Sequence, residues 1–363
     1  MSTTHQAPQA SPQAPRTYAA HAQPLWRRLL LSREAVVVAV LVVVLVWAIN
    51  SVSYFASQLT MTFLLLDIAP ILLIALPMTA VIVTGEIDLS VASVVGLSSA
   101  LLGEMVSHGV SVPVATVVCL LAGVACGSLN GFLVAHLGLP SLAVTIGTLA
   151  LFRGIAVGLL GTTAITTFPE RWTSLAKAEI GGTGIPVVMV VFVVLAAGFA
   201  WVLHFSAFGR GIYDIGLNAE AAEFTGVPVR RTRFTLFVLS GVVSALAGVY
   251  FTLRFTSARG DNATGLELQV IAAVLLGGVS IFGGRGKLLG VVAGVLLIGV
   301  LSSALRLQGV TVNVINIIIG LLLVASVMST SVLAWGSRVA ARRHHHRGDR
   351  PTLTPAGVGT QER

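Results

Sequence analysis

The chain has 363 residues, 55% of them hydrophobic and only 10% charged. Soluble domains carry about 25% charged residues, so this composition excludes a water-coated globule of this size. The formal charge of +8 is spread over short connections and the two ends. That is a membrane-orientation pattern, and it argues against a single basic face for nucleic acid.

Residues 1–24 are rich in Gln, Ala, Pro, Ser and Thr and have no apolar face. A disordered tail is expected over 1–30. No small-residue cleavage site follows a short apolar core, so the first apolar run is read as a spanning helix that stays in place. A spanning helix needs about 20 apolar residues. On that measure helices are expected near 35–53, 62–84, 88–107, 112–136, 141–161, 185–204, 234–254, 267–283, 287–306 and 311–332, inside a membrane domain covering 31–335. The fold class is all-α and polytopic, with about ten crossings. Residues 336–363 form a basic tail, in which His344, His345 and His346 lie among arginines and read as a solvated or headgroup-facing stretch. No metal or cofactor site is expected.

Lys and Arg set the orientation. With an even number of crossings both ends lie on one side. That side holds Arg16, Arg27, Arg28 and Arg33, then Arg210, Arg230, Arg231 and Arg233, then Arg285 and Lys287, and finally the tail. The other side keeps Arg171, Lys177, Arg254, Arg259 and Arg306. Both termini are therefore expected in the cytoplasm.

Within the apolar runs, Gly123, Gly127 and Gly131 recur every four residues, which lets helix backbones approach closely. Cys119 and Cys126 share one run, cannot bridge along a helix, and read as small buried residues. Pro70, Pro77, Pro113 and Pro140 interrupt helix ends or middles. They are either ordinary kinks or the broken helices that line a pathway.

Several polar residues admit both a bland and a functional reading. Glu86 and Asp88 sit near a helix boundary, where they either start the third helix or brace an inner gate. Asp67 lies in an apolar run, either interfacial or, less simply, part of a proton relay. Arg153 needs a partner: a structural bond to carbonyls is the default, and pathway lining is the alternative. Asn130, Thr145 and Thr148 suit bonds between helices or contact with a solute.

The connection 205–233 is the most informative. Asn218 is a good N-cap, Glu220 then suits the helix dipole, Gly226 is a natural stop, and Pro228 forbids continuation. A short helix is expected between two basic stretches. Alone it would be marginal in water, so its own domain or a partner must hold it. The glycine-rich run 277–286 is not a phosphate cradle, because Ile281 and Leu288 stand where a P-loop needs Gly and Ser or Thr.

Glu220-Ala221-Ala222 followed by Gly226 resembles the EAA-type loop of ATP-binding-cassette importer permeases, although the second half of that consensus is missing. Thr84-Gly85-Glu86-Ile87-Asp88-Leu89-Ser90-Val91 resembles a segment of the ribose-type branch, with Glu86 and Ala92 replacing usual glycines. Asn130-Gly131 with Pro140 to Thr148, and Gly277 to Gly286, resemble two more segments of that branch. The four matches keep their order across about residues 60–330.

The resemblance implies a type II-like importer permease fold in a bacterial inner membrane, without enzymatic activity of its own. It implies a coupling helix at Asn218, Glu220, Ala221, Ala222 and Gly226. It also implies two separate ATPase subunits that hydrolyse ATP, a second permease copy or paralogue, and an extracytoplasmic sugar-binding protein. The solute would be a monosaccharide or similar molecule, of ribose, rhamnose or autoinducer-2 type. Gate or pathway residues would come from Glu86, Asp88, Ser90, Asn130, Thr145 and Arg153. An ion-coupled transporter would need ionisable residues at mid-membrane, and here only Arg153 and Asp67 qualify. An intramembrane enzyme would need a nucleophile–base set, and none is evident. A branched-chain amino-acid permease shares the architecture, but the Ile87-Asp88-Leu89-Ser90-Val91 segment favours the sugar branch.

Overall fold

The computed structural model describes residues 33–326 and 328. The expected tails, with Arg16, Arg27, Arg28 and His344 to His346, lie outside the described residues. Thirteen helices follow in order: α1 Arg33–Ser51, α2 Gln58–Val83, α3 Val91–Ser107, α4 Val112–Ala135, α5 Ser141–Leu160, α6 Glu170–Lys177, α7 Val188–Phe205, α8 Ala207–Leu217, α9 Ala219–Phe224, α10 Val229–Phe255, α11 Leu266–Leu276, α12 Leu288–Leu307 and α13 Val312–Ser326. Among the described residues there is no β-sheet, only two isolated bridges.

Among the described residues, seven helices are long and apolar enough to cross a membrane: α1, α2, α4, α5, α7, α10 and α12. Three more, α3, α11 and α13, are apolar but shorter, which brings the total to the ten expected segments. The segment expected at 267–283 is helical only over Leu266–Leu276. Eleven residues rise about 16 Å, roughly half the hydrocarbon thickness. Gly277 ends the helix, and Gly278, Gly283 and Gly284 carry φ of +89°, +82° and +70°, a backbone no helix continues through. Sequence length alone had merged this turn with the helix.

The centre of the bundle is α2, buried on nearly all faces, against α10, α12, α11 and α7. Pro70 lies in the interior of α2 and has no N–H for the Leu66 carbonyl. The Tyr250 hydroxyl donates to that carbonyl instead, at 3.0 Å, so the freed group is satisfied by a neighbouring helix.

The small-residue stripe of α4 meets α10. A Cβ on Gly127 would overlap the Phe237 carbonyl oxygen, one on Gly123 the Gly241 carbonyl oxygen, and one on Gly241 the backbone of both Gly123 and Gly127. Such contact gives dispersion and backbone packing where lipid supplies no hydrophobic drive between helices. Cys119 and Cys126 are both buried and free.

The connections fall into two sets at opposite ends of the bundle. One end gathers 84–90, 136–140, 206–228 and 277–287, and the ion pair of Lys287 with Glu34 adds the start of α1. The other end gathers 52–57, 161–187 and 256–265. There Ile165 bridges Ala258, Gln58 Nε2 donates to the Gly182 carbonyl at 2.9 Å, and Lys177 donates to Thr256 at 3.1 Å. This alternation is what successive apolar segments of a helical bundle require. The first set holds Arg210, Arg230, Arg231, Arg233 and Arg285 and is called the arginine-rich end below.

Candidate functional site

At the arginine-rich end, α8 and α9 form a bent pair. The start of α8 is fixed by Ser206, whose hydroxyl accepts from Gly209 N–H at 2.9 Å. Asn218 ends α8 and caps α9, its side-chain oxygen accepting from Ala221 N–H at 2.9 Å. The six residues of α9 cannot hold themselves. Ala222 is tucked against Ile215 of α8 and Val229 of α10. Gly226, at φ +87°, takes the left-handed conformation that a side chain disfavours, and the Val227 N–H closes the turn onto the Ala222 carbonyl at 3.0 Å. Glu220, Ala221 and Glu223 then face outward, and Phe224 is 85% exposed. Leu217 and Phe282 are exposed at the same end. Exposed apolar groups beside acids, outside the bundle, mark an interaction surface.

This tip is joined rigidly to the bundle. A Cβ on Gly216 would overlap the Val83 carbonyl oxygen at the end of α2 and the Gly284 amide. Gly284 N–H itself donates to that Val83 carbonyl at 2.8 Å, and the Tyr213 hydroxyl donates to the Gly286 carbonyl at 2.8 Å. Three segments distant in sequence, 84–90, 208–217 and 277–286, therefore meet at one junction. Sequence reading did not single out α8, Tyr213 or Gly216. The available signal was the spacing of Phe208, Ile212 and Ile215, one face of a short helix.

Asp88, Ser90 and Asn130 come together as one buried network. Asp88 is 2% exposed. Its Oδ1 accepts from Ser90 N–H at 3.0 Å and from the Ser90 hydroxyl at 2.6 Å. Its Oδ2 accepts from the Ser240 hydroxyl of α10 at 2.7 Å. Asn130 of α4 donates to the Ser90 oxygen at 2.8 Å. Thr145 of α5 donates to the Ile87 carbonyl at 3.2 Å, and Ile87 N–H donates to the Ser141 hydroxyl at 3.1 Å. The loop between α2 and α3 is thus tied to α4, α5 and α10. Glu86 lies at its edge, ion-paired with Arg233 at 3.1 Å. Thr148 bonds only its own helix, at the Thr145 carbonyl.

Arg153 is not part of this network. Its guanidinium donates to the carbonyls of Gly260 at 2.8 Å, Asn262 at 2.7 Å and Ala92 at 3.2 Å, the carbonyl-bonding role expected by default. It holds the loop 256–265 down between α3 and α5, where Gly260 packs on Val157 so closely that a Cβ would overlap it. Asp67 is paired with Arg254 at 3.5 Å and Arg306 at 3.2 Å. Asp67 is thus engaged in ion pairs to α10 and α12 at the end of the bundle opposite the arginine-rich end. Among the described residues, no group of three His, Cys, Asp or Glu could hold a metal ion.

Next to Asp67 lies a cavity of about 500 Å³ among α2, α10, the 256–265 loop, α11, α12 and α13. Gln269, Ser302 and Asn316 line it. None of the three was singled out from sequence, though each is a polar residue inside an apolar run.

A bundle of ten apolar segments with a protruding, capped helix at one end and a polar cavity at the other defines a multi-pass membrane permease. The chain belongs to the family described as branched-chain amino acid transport system / permease component, whose profile matches residues 60–327. It is similar to the autoinducer 2 import system permease protein LsrD of Salmonella typhimurium, 36% identical over 287 residues, covering 76% of this chain and 85% of that one. The protein of the same name from Yersinia enterocolitica is 37% identical over 266 residues, covering 72% and 80%. That from Escherichia coli is 36% identical with the same coverage. No solved structure matches the chain.

Proposed function

We propose that this chain is the membrane-spanning permease of an ATP-driven importer for a sugar-like solute of autoinducer-2 type. Its relatives carry autoinducer 2 import in their names. The observation that carries the reading is the exposed tip of α9, held at Asn218, Ala222 and Gly226 and presenting Glu220, Ala221 and Phe224 outward. A separate ATPase subunit that received this tip in a cleft could move it. The Gly216–Val83–Gly284 junction would pass that movement to α2 and the glycine-rich turn, and Asp88 would pass it on to α3, α4, α5 and α10. Glu86, Asp88, Ser90, Asn130 and Thr145 thus act as a brace behind the inner gate, while Arg153 anchors the opposite loop.

The full transporter would contain two ATPase subunits, a second permease copy or paralogue, and an extracytoplasmic binding protein. The arginine-rich end faces the cytoplasm, with both termini, as the excess of Lys and Arg there supports. The family description favours a second reading, a branched-chain amino acid as solute. The test is co-purification of an ATPase subunit in mild detergent, followed by uptake with autoinducer 2 and leucine as competing solutes. Wild type should retain the ATPase, and Glu220→Arg or Gly226→Arg should lose it while staying in the membrane. Retention by both variants would remove α9 from the coupling role, and competition by leucine alone would select the amino-acid reading.

A further inference from the structure

The cavity beside Asp67 has a polarity that packing does not require. It reaches from Arg306 and Val312, at the helix ends opposite the arginine-rich end, down to Ile298 and Ile71. Ile298 lies nine positions before the end of α12, about 13 Å along the axis. The non-helical segment 256–265 lines it. Irregular backbone at such depth is tolerated only where it is buried in protein or faces a water-filled space.

The charges in its wall are already matched. Asp67 is shared by Arg254 and Arg306, and Arg259 is paired with Asp261 at 2.8 Å and 2.9 Å. Three uncharged groups are left over. Among the described residues, the side chains of Gln269, Ser302 and Asn316 have no hydrogen-bond partner, and they come from three different helices. Amides and a hydroxyl both donate and accept, which matches the hydroxyls of a polyol. They offer no countercharge for an anion, and the Ile71, Leu266 and Ile298 side chains beside them suit the C–H face of a sugar ring. The volume lies within the range of about 300–1,000 Å³ usual for small-molecule sites.

We propose that this cavity is the entry site of the transport path, and that it binds a small uncharged polyhydroxylated solute through Gln269, Ser302 and Asn316. This rests on the importer reading and adds to it the place and chemistry of solute contact.

The test uses the complete transporter in right-side-out vesicles loaded with ATP, with Ser302→Cys and, separately, Asn316→Cys. The native Cys119 and Cys126 are buried, so a membrane-impermeant methanethiosulfonate reports the introduced thiol. Autoinducer 2, D-ribose, ribose 5-phosphate and leucine are each added as protectant, and ATP-dependent uptake of autoinducer 2 and D-ribose is measured in parallel. Autoinducer 2 or D-ribose at ten times its half-saturating concentration should slow labelling of both variants about tenfold. Ribose 5-phosphate and leucine should leave the rate unchanged. Labelling of both variants that no solute slows, with the unsubstituted transporter active in uptake, overturns the cavity as entry site and leaves the importer standing. Failure of both thiols to react shows that the cavity does not open outward and overturns it too. Protection by leucine or by ribose 5-phosphate alone overturns the polyol chemistry. Absence of uptake of both sugars by the unsubstituted transporter overturns the importer reading, and the entry site with it.

Discussion

Replacing Asp88 with Ala removes the acceptor for three donors: the Ser90 amide, the Ser90 hydroxyl and the Ser240 hydroxyl. A buried donor left unpaired costs about 1–3 kcal/mol. The two hydroxyls can rotate toward carbonyls one turn back, so each retains part of its bonding. The Ser90 amide cannot. Counting it at about 2 kcal/mol and the hydroxyls at about 0.5 kcal/mol each gives about 3 kcal/mol of lost stability. Asn at the same position keeps one acceptor oxygen and the same shape, and should cost about 1 kcal/mol. The gap of about 2 kcal/mol is roughly thirtyfold in the unfolding equilibrium. Reversible unfolding of the detergent-purified chain measures it, and a thermal melt should show Asp88→Ala lower by about 4 °C. If Asp88→Ala lies within about 0.5 kcal/mol of wild type, less than one typical hydrogen bond, the brace is not a stabilising element. If Asp88→Asn is as damaging as Asp88→Ala, the charge and not the hydrogen-bond geometry is what matters.

Arg153→Ala removes three bonds to carbonyls. It should destabilise the bundle by about 2 kcal/mol and speed proteolysis within 256–265, as read by mass mapping of the cut. Gly127→Leu should prevent close approach of α4 and α10 and lower the yield of folded protein in membranes. Gly147→Ala, which meets open space, should leave the yield unchanged. The Asp261 carboxyl is held below its usual range by its hydrogen bonds from Arg259. Its contribution is therefore complete above the unfolded value of about 3.9 and lost as pH falls through the lower folded value. Proteolysis of the 256–265 loop, read with an acid-active protease, should stay flat down to about pH 4 and rise only below it.

Ten apolar segments, the capped helix at Asn218 and the close-packing glycines of α4 were legible in the sequence because each depends on neighbours along the chain. Segment length measures the membrane, and caps and left-handed stops act over a few residues. The shortening of α11 was not legible, because Gly277 to Gly284 follow an apolar run with no polar break. Nor was the face each helix turns to lipid. The first helix and α2 read alike in sequence, yet Val36, Val38, Val42 and Val43 are exposed while Leu72, Leu73, Ile74 and Leu76 are buried. Lipid and protein interior are equally apolar, so composition carries no signal for which one a residue meets.

Composition, hydrophobic run length and local motifs by themselves determined that the chain spans a membrane many times, and where its exposed helix begins and ends. Only the tertiary structure decided that Val83, Gly216 and Gly284 meet at one point, that Asp88 bonds Ser240, and that Gln269, Ser302 and Asn316 face one cavity. These pairings join residues tens to hundreds of positions apart. They depend on how closely helix backbones approach and which carbonyls are left free, and those quantities exist only once the helices are packed.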